Sequence, residues 1–197
     1  MNLSSKRTRK RKNEILKSAM RIINTRGYEA ATMEEIAAEL LMTKGSLYYY
    51  FKNKQDLMYQ CHHLVLSEAV EKLEEHLDKD QSVTETLKNM VDTHIYFAVE
   101  EKETYNLLIR PDQAYDKEHL QSTLDLRKYY ASLFDKIIER GIASGEFSIK
   151  EPVIARMFIL GSMNWIQQWF NPDNRLTLEQ LQQLFYEYIL TLLQGSE

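Results

Sequence analysis

Thr43-Lys44-Gly45-Ser46-Leu47-Tyr48-Tyr49-Tyr50-Phe51 gathers an ammonium, two short hydroxyls, three phenols and a glycine. These groups hydrogen-bond to phosphate oxygens and to base edges, and a glycine lets backbone come close to a partner. The residue types that carry catalysis are not arranged for it. His62 and His63 are adjacent, so on a helix their side chains point about 100° apart and cannot share a metal as i, i+4 histidines do. No Cys/His cluster has zinc spacing, and phosphate-binding glycine loops are absent. Gly141-Ile142-Ala143-Ser144-Gly145 ends a helical pattern, so it is not a nucleophile elbow. The expectation is a chain that binds and does not catalyse, with no cofactor and no metal.

Charge points the same way. Residues 1–60 hold twelve Lys/Arg against six acids, a net +6, which leaves −10 for the rest of a chain of net charge −4. A basic head on an acidic body implies a polyanionic partner for the head. Six basic residues fall within positions 6–12. They read either as an arm adding backbone or minor-groove contacts or as a solvated tail. No apolar run is long enough to span a membrane, and the basic start leads into charged residues instead of a signal segment. A lone cysteine, Cys61, excludes an internal disulfide framework. Together these place the chain in the cytoplasm.

The elements that must hold this chemistry are helices: only 6 Gly and 3 Pro in 197 residues leave little for the turns of a β fold. Ile15, Leu16, Ala19, Met20, Ile22 and Ile23 recur at helical spacing over 14–26, and Gly27 stops them. Thr32-Met33-Glu34-Glu35 is a capping box opening a short helix with Met33, Ile36, Ala37 and Leu40 on one face. Leu41-Met42 reads as a turn, and Thr43 caps a third helix whose Leu47, Tyr50 and Phe51 face inward. Three helices in about fifty residues, the last two separated by a tight turn, make a helix-turn-helix. A long helix over 54–79, about 39 Å, follows; further helices start at Ser82, near 117, at Pro152 and at Thr177. The segment Thr104 to Arg110 is closed by Pro111. The fold class is therefore all-α, with a helix-turn-helix domain over 1–53 and a helical domain over 54–197.

Thr32-Met33-Glu34-Glu35-Ile36-Ala37-Ala38-Glu39-Leu40, then Thr43 through Phe51 and Lys52-Asn53-Lys54-Gln55-Asp56-Leu57, resembles the tetracycline-repressor (TetR) family over about residues 10–60. The resemblance implies a regulator whose third helix enters the major groove of operator DNA. Lys44 would then donate to guanine, Gly45 would keep the backbone close to the groove, and Ser46 and Tyr49 are further candidates for base contact. Thr43, Tyr48 and Lys54 suit phosphate oxygens, and Thr32 is a further candidate contact. Leu126-Arg127-Lys128-Tyr129-Tyr130, Gly141 through Phe147, Gly161-Ser162-Met163-Asn164-Trp165 and Trp169-Phe170-Asn171-Pro172 resemble a subgroup that answers to acyl-CoA thioesters and related lipid or steroid catabolites.

A regulator of that kind needs a mostly apolar pocket with a few placed polar groups. Tyr96, Phe97, Tyr105, Leu108, Tyr130, Phe134, Met157, Trp165 and Trp169 supply apolar lining, although aromatic residues at helical spacing equally build plain core. Asn164, His94 and Arg127 supply polar groups, with His94 also readable as a core histidine and Arg127 and Lys128 as either CoA phosphate partners or surface charges. Helices apolar on nearly all sides at the C-terminus imply burial against a second copy, a four-helix homodimer interface. The expected function is a ligand-responsive repressor of palindromic operator DNA, released by a small hydrophobic effector such as an acyl-CoA or lipid catabolite. Repression of an efflux pump induced by xenobiotics, and activation of transcription, stay open as alternatives.

Overall fold

A computed structural model describes residues 3–102, 117–171 and 175–195, and among them every regular element is a helix. The expected segment Thr104 to Arg110 with its Pro111, the candidates Tyr105 and Leu108, and Pro172 lie outside the described residues. In chain order the helices are α1 (Leu3–Arg26), α2 (Met33–Glu39), α3 (Lys44–Tyr50), α4 (Lys54–Asp78), α5 (Val83–Glu100), α6 (Lys117–Ser144), α7 (Pro152–Trp169) and α8 (Leu178–Gln194). They divide into two compact units, Met1–Val65 with Glu101–Thr123, and Leu66–Glu100 with Leu124–Glu197.

In the first unit, α1 buries Ile15, Leu16, Ala19, Met20, Ile22 and Ile23. Met33, Ile36 and Ala37 of α2, Leu47 of α3, and Phe51 complete the same core. Leu57, Met58 and Cys61 are also fully buried, so the first turns of α4 are part of this unit's core. That is why the division between units falls inside α4, at Val65, and not before it. α1 begins well upstream of the apolar pattern, so Arg7 through Lys12 are helical and not an extended arm ahead of the helix. Lys and Arg have high helix propensity, and Arg11 bonds to Glu14 one turn on at 3.2 Å.

Local signals set the helix starts. Thr32 Oγ1 accepts from the Glu35 N–H at 3.2 Å while the Glu35 carboxylate accepts from the Thr32 N–H at 2.9 Å. Thr177 and Gln180 form the same reciprocal box at α8. At α5 the Ser82 hydroxyl accepts from the Glu85 N–H, but the Glu85 carboxylate accepts from Gln81 instead. Pro152 occupies the first turn of α7, where its missing N–H costs nothing.

The turn between α2 and α3 closes as a Schellman motif, with Leu41 N–H donating to Ala38 O and Met42 N–H to Ala37 O. Leu41 holds φ +53° at the position that favours glycine and is 97% exposed. This turn joins α2 to α3, which pack against each other with Leu47 buried in the core.

In the second unit α5, α7 and α8 pack against one another. α6 adds Leu133, Phe134, Ile137 and Ile138 to the core. Polar clamps fix the register: Arg156 Nε donates to Asp135 at 2.6 Å, Arg140 to the Leu77 carbonyl at 2.7 Å, and Gln182 to the Asp92 carbonyl at 2.8 Å.

Candidate nucleic-acid interface

α3 presents two unlike faces. Leu47 is buried, whereas Lys44, Gly45, Ser46, Tyr48 and Tyr49 are exposed, Tyr49 at 79%. Tyr50 is half-buried, edge-on to Tyr49 and tilted against the buried Phe51, as a packing residue should be. Thr43 caps the helix: its Oγ1 accepts from the Ser46 N–H at 3.1 Å and lies 2.9 Å from the Ser46 hydroxyl. The remaining N–H groups of the first turn point outward with the positive end of the helix dipole, a setting that favours anions.

Lys44 is ion-paired to Glu34 of α2. The hydrogen bond to that carboxylate holds the ammonium above its ordinary pKa and the Glu34 carboxyl below its own. Both side chains are exposed, so the pair is open to exchange for a phosphate or base partner. A Cβ at Gly45 would meet nothing within 4 Å and its φ is not left-handed, so the protein's own packing does not require glycine here. Lys54 is tied inward, its Nζ 4.1 Å over the Tyr28 ring and 3.3 Å from the Glu29 carbonyl. Burial, and then the neighbouring Glu29, raise the Tyr28 phenol. Asn53 caps α4, its Oδ1 accepting from the Asp56 N–H at 2.8 Å, and Asp56 accepts from the Lys52 N–H at 2.8 Å.

The second unit holds a buried polar cluster. His94 Nδ1 lies 2.9 Å from the Tyr130 hydroxyl, its ring meets Phe134 edge-on, and the Asn164 side chain hydrogen-bonds it. Burial pushes the His94 pKa down to about 3, so the imidazole is neutral. One turn on from Asn164, Gln167 is buried as well and donates to the Asn164 carbonyl at 3.0 Å.

Two family models match the chain. The tetR-family bacterial regulatory protein model matches residues 15–61, and the tetracyclin repressor-like C-terminal domain matches residues 80–193, more than half of the chain by itself. The chain belongs to the TetR family. Its members are transcriptional regulators, so this is a DNA-binding regulator with a helix-turn-helix and not an enzyme. It is 27% identical to the fatty acid metabolism regulator protein of Bacillus subtilis, over 94% of this chain and 97% of that one. It is 24% identical to the transcriptional repressor KstR2 of Mycolicibacterium smegmatis, over 91% of this chain and 89% of that one. Among solved structures, AibR in complex with isovaleryl coenzyme A and operator DNA is 26% identical with a TM-score of 0.75, covering 93% of this chain and 97% of that one.

As a TetR-family chain, its expected contact residues fall into distinct groups. Lys44, Gly45, Ser46, Tyr48 and Tyr49 share the open face of α3, with Thr43 at its start. Thr32 lies exposed at the start of α2, its hydroxyl engaged with Glu35. Tyr130, Phe134 and Asn164 come together around His94, while Arg127 is half-buried one helical turn before Tyr130. Trp165, 62% exposed, and Tyr96, 47% exposed, lie open at the surface. Sequence reasoning missed two residues. Glu34 was hidden inside a capping box, and Gln167, beside apolar Ile166, reads as one more polar surface position. No helix among the described residues is long and apolar enough to cross a membrane.

Proposed function

We propose that this regulator is a repressor that binds palindromic operator DNA as a homodimer and is released by a small hydrophobic effector, an acyl-CoA or lipid catabolite. The open face of α3, with exposed Lys44, Gly45, Ser46, Tyr48 and Tyr49 over a buried Leu47, carries the reading. Lys44, Ser46 and Tyr49 read bases, with Gly45 as the point of close approach. Thr43, Tyr48, Thr32 and Lys54 serve the phosphate backbone and position the helix. Residues 1–53 carry the DNA-reading function, with the first turns of α4 completing their core, and the rest of 54–197 carries response and dimerisation.

Dimerisation is supported by the apolar side chains that α7 and α8 leave uncovered, among them Val153, Met157, Phe158, Trp165 and Tyr188. Large apolar side chains left exposed along two neighbouring helices suit a protein partner, and a two-fold axis would pair each helix with its copy. The effector reading is supported by the uncharged polar cluster of His94, Tyr130 and Asn164 beside Phe134. Similarity to a fatty acid regulator and to AibR favours an acyl thioester. An effector that binds better to the DNA-incompetent conformation lowers operator affinity by that difference. α4, whose residues belong to both units, is the element shared between the two functions.

Selection of the purified protein's preferred site from a random duplex pool, followed by titration with long-chain acyl-CoA, tests this. The expected result is an enriched palindrome that acyl-CoA releases. No enriched sequence would overturn the assignment of α3, and an enriched palindrome indifferent to acyl-CoA would overturn the effector class alone.

A further inference from the structure

Gln167 is 1% exposed on the buried stripe of α7, with Ile166 before it and Met163 one turn back. Its Nε2 donates to the backbone carbonyl of Asn164 at 3.0 Å. That bond fixes the amide orientation, because the flipped rotamer would set oxygen against oxygen. The amide oxygen is left fully buried, with no hydrogen-bond partner among the described residues. An unsatisfied buried acceptor is costly to the fold, and a leucine of similar size at the same place would avoid the cost. A hydrogen-bond donor from outside the chain would remove that cost.

The surroundings restrict that partner. Gln167 lies one helical turn from Asn164, whose side chain bonds the neutral His94, which in turn pairs with the Tyr130 hydroxyl. These four polar residues carry no charge. A carboxylate brought among them would be desolvated without a counter-ion, which is strongly unfavourable. A neutral group with a hydrogen to donate would satisfy the Gln167 amide oxygen.

We propose that Gln167 determines the chemical class of the effector, its amide oxygen accepting from an uncharged N–H or O–H group carried beside an apolar acyl chain. This rests on the effector reading above and narrows it: free fatty-acid anions are excluded, while acyl amides, acyl thioesters with an amide-bearing carrier and hydroxyacyl esters are admitted. Gln167 acts here as a specificity-determining residue.

The test measures binding by calorimetry to the full-length protein and to its Gln167→Leu variant, using four probes of one chain length. They are S-octanoyl-N-acetylcysteamine with an amide N–H, methyl 3-hydroxyoctanoate with a hydroxyl, methyl octanoate with no donor, and octanoate. The wild-type chain is expected to prefer a donor-bearing probe over methyl octanoate by about tenfold and to reject octanoate. The variant is expected to lose that tenfold preference, keep its affinity for methyl octanoate, and unfold without ligand at the same or a higher urea concentration. Dependence on Gln167 for the amide alone or the hydroxyl alone supports the proposal and identifies the source of the donor. Equal losses on every probe, or a lower unfolding midpoint, would mean a structural role and overturn it. An unchanged preference in the variant, or tight binding of octanoate, overturns it while leaving the effector reading intact. Binding of no probe by the wild-type chain overturns the effector reading itself.

Discussion

Replacing Gly45 with alanine separates what the fold needs from what DNA needs. In the free protein the added methyl enters open space, with no heavy atom within 4 Å, at a helical position whose φ suits any residue. The alanine chain loses less conformational freedom on folding, a gain of about 0.5–1 kcal/mol. With a urea dependence of about 1–3 kcal/mol per molar, the unfolding midpoint should rise by a few tenths of a molar. On DNA the same methyl stands between the α3 backbone and the groove. Pushing the helix out by a methyl's width disturbs base contacts worth about 1–3 kcal/mol each, so operator affinity should fall about tenfold or more. Affinity for a scrambled duplex, carried by phosphate contacts, should change little at the same salt. Fluorescence anisotropy on the selected and scrambled duplexes, paired with urea titration, reads both effects. A variant that is less stable would mean the space around Gly45 is occupied. One that is more stable yet binds operator as well as wild type would refute close approach of the backbone at this position.

Leu41→Gly should stabilise the protein by about 1 kcal/mol in chemical denaturation, because a left-handed residue with a side chain costs about that much and the exposed leucine contributes little packing; a loss of stability would mean that the Leu41 side chain is held by contacts the fold depends on. Acid should destabilise the protein through its buried histidines. Burial pushes His62 and His94 each down to about 3, so between pH 6.5 and 3 the unfolded chain binds protons that the folded chain does not. Their contribution is complete above pH 6.5 and declines as pH falls toward 3, with a slope approaching about 1.4 kcal/mol per pH unit for each histidine. Urea midpoints should hold level from pH 7.5 to about 6.5 and then fall toward pH 4.5, and His94→Phe should flatten that fall; a wild-type profile flat down to pH 4.5 would contradict neutral burial of both rings.

The sequence by itself determined the features whose causes are local. The Thr32 and Thr177 boxes, the Thr43 cap and Pro152 in the first turn of α7 each involve residues within one turn of one another, and each helix begins where those signals stand. The exposed polar face of α3 was legible for the same reason, since a seven-residue helix with one buried leucine leaves few ways to point. The full length of α1 was less legible, because a run of lysine and arginine has helix propensity but no apolar period to trace. Only tertiary structure decided the rest. The pairing of Lys44 with Glu34 joins side chains of two helices across the Leu41 turn, a proximity that residue types ten positions apart do not announce. α7 is apolar around most of its circumference, so hydrophobicity could not say which side would be covered. Packing on α5 and α8 buried Gln167 and left Trp165 in the open. Side-chain polarity is a property of one residue, whereas burial and hydrogen-bond satisfaction depend on which neighbours the chain brings back to it.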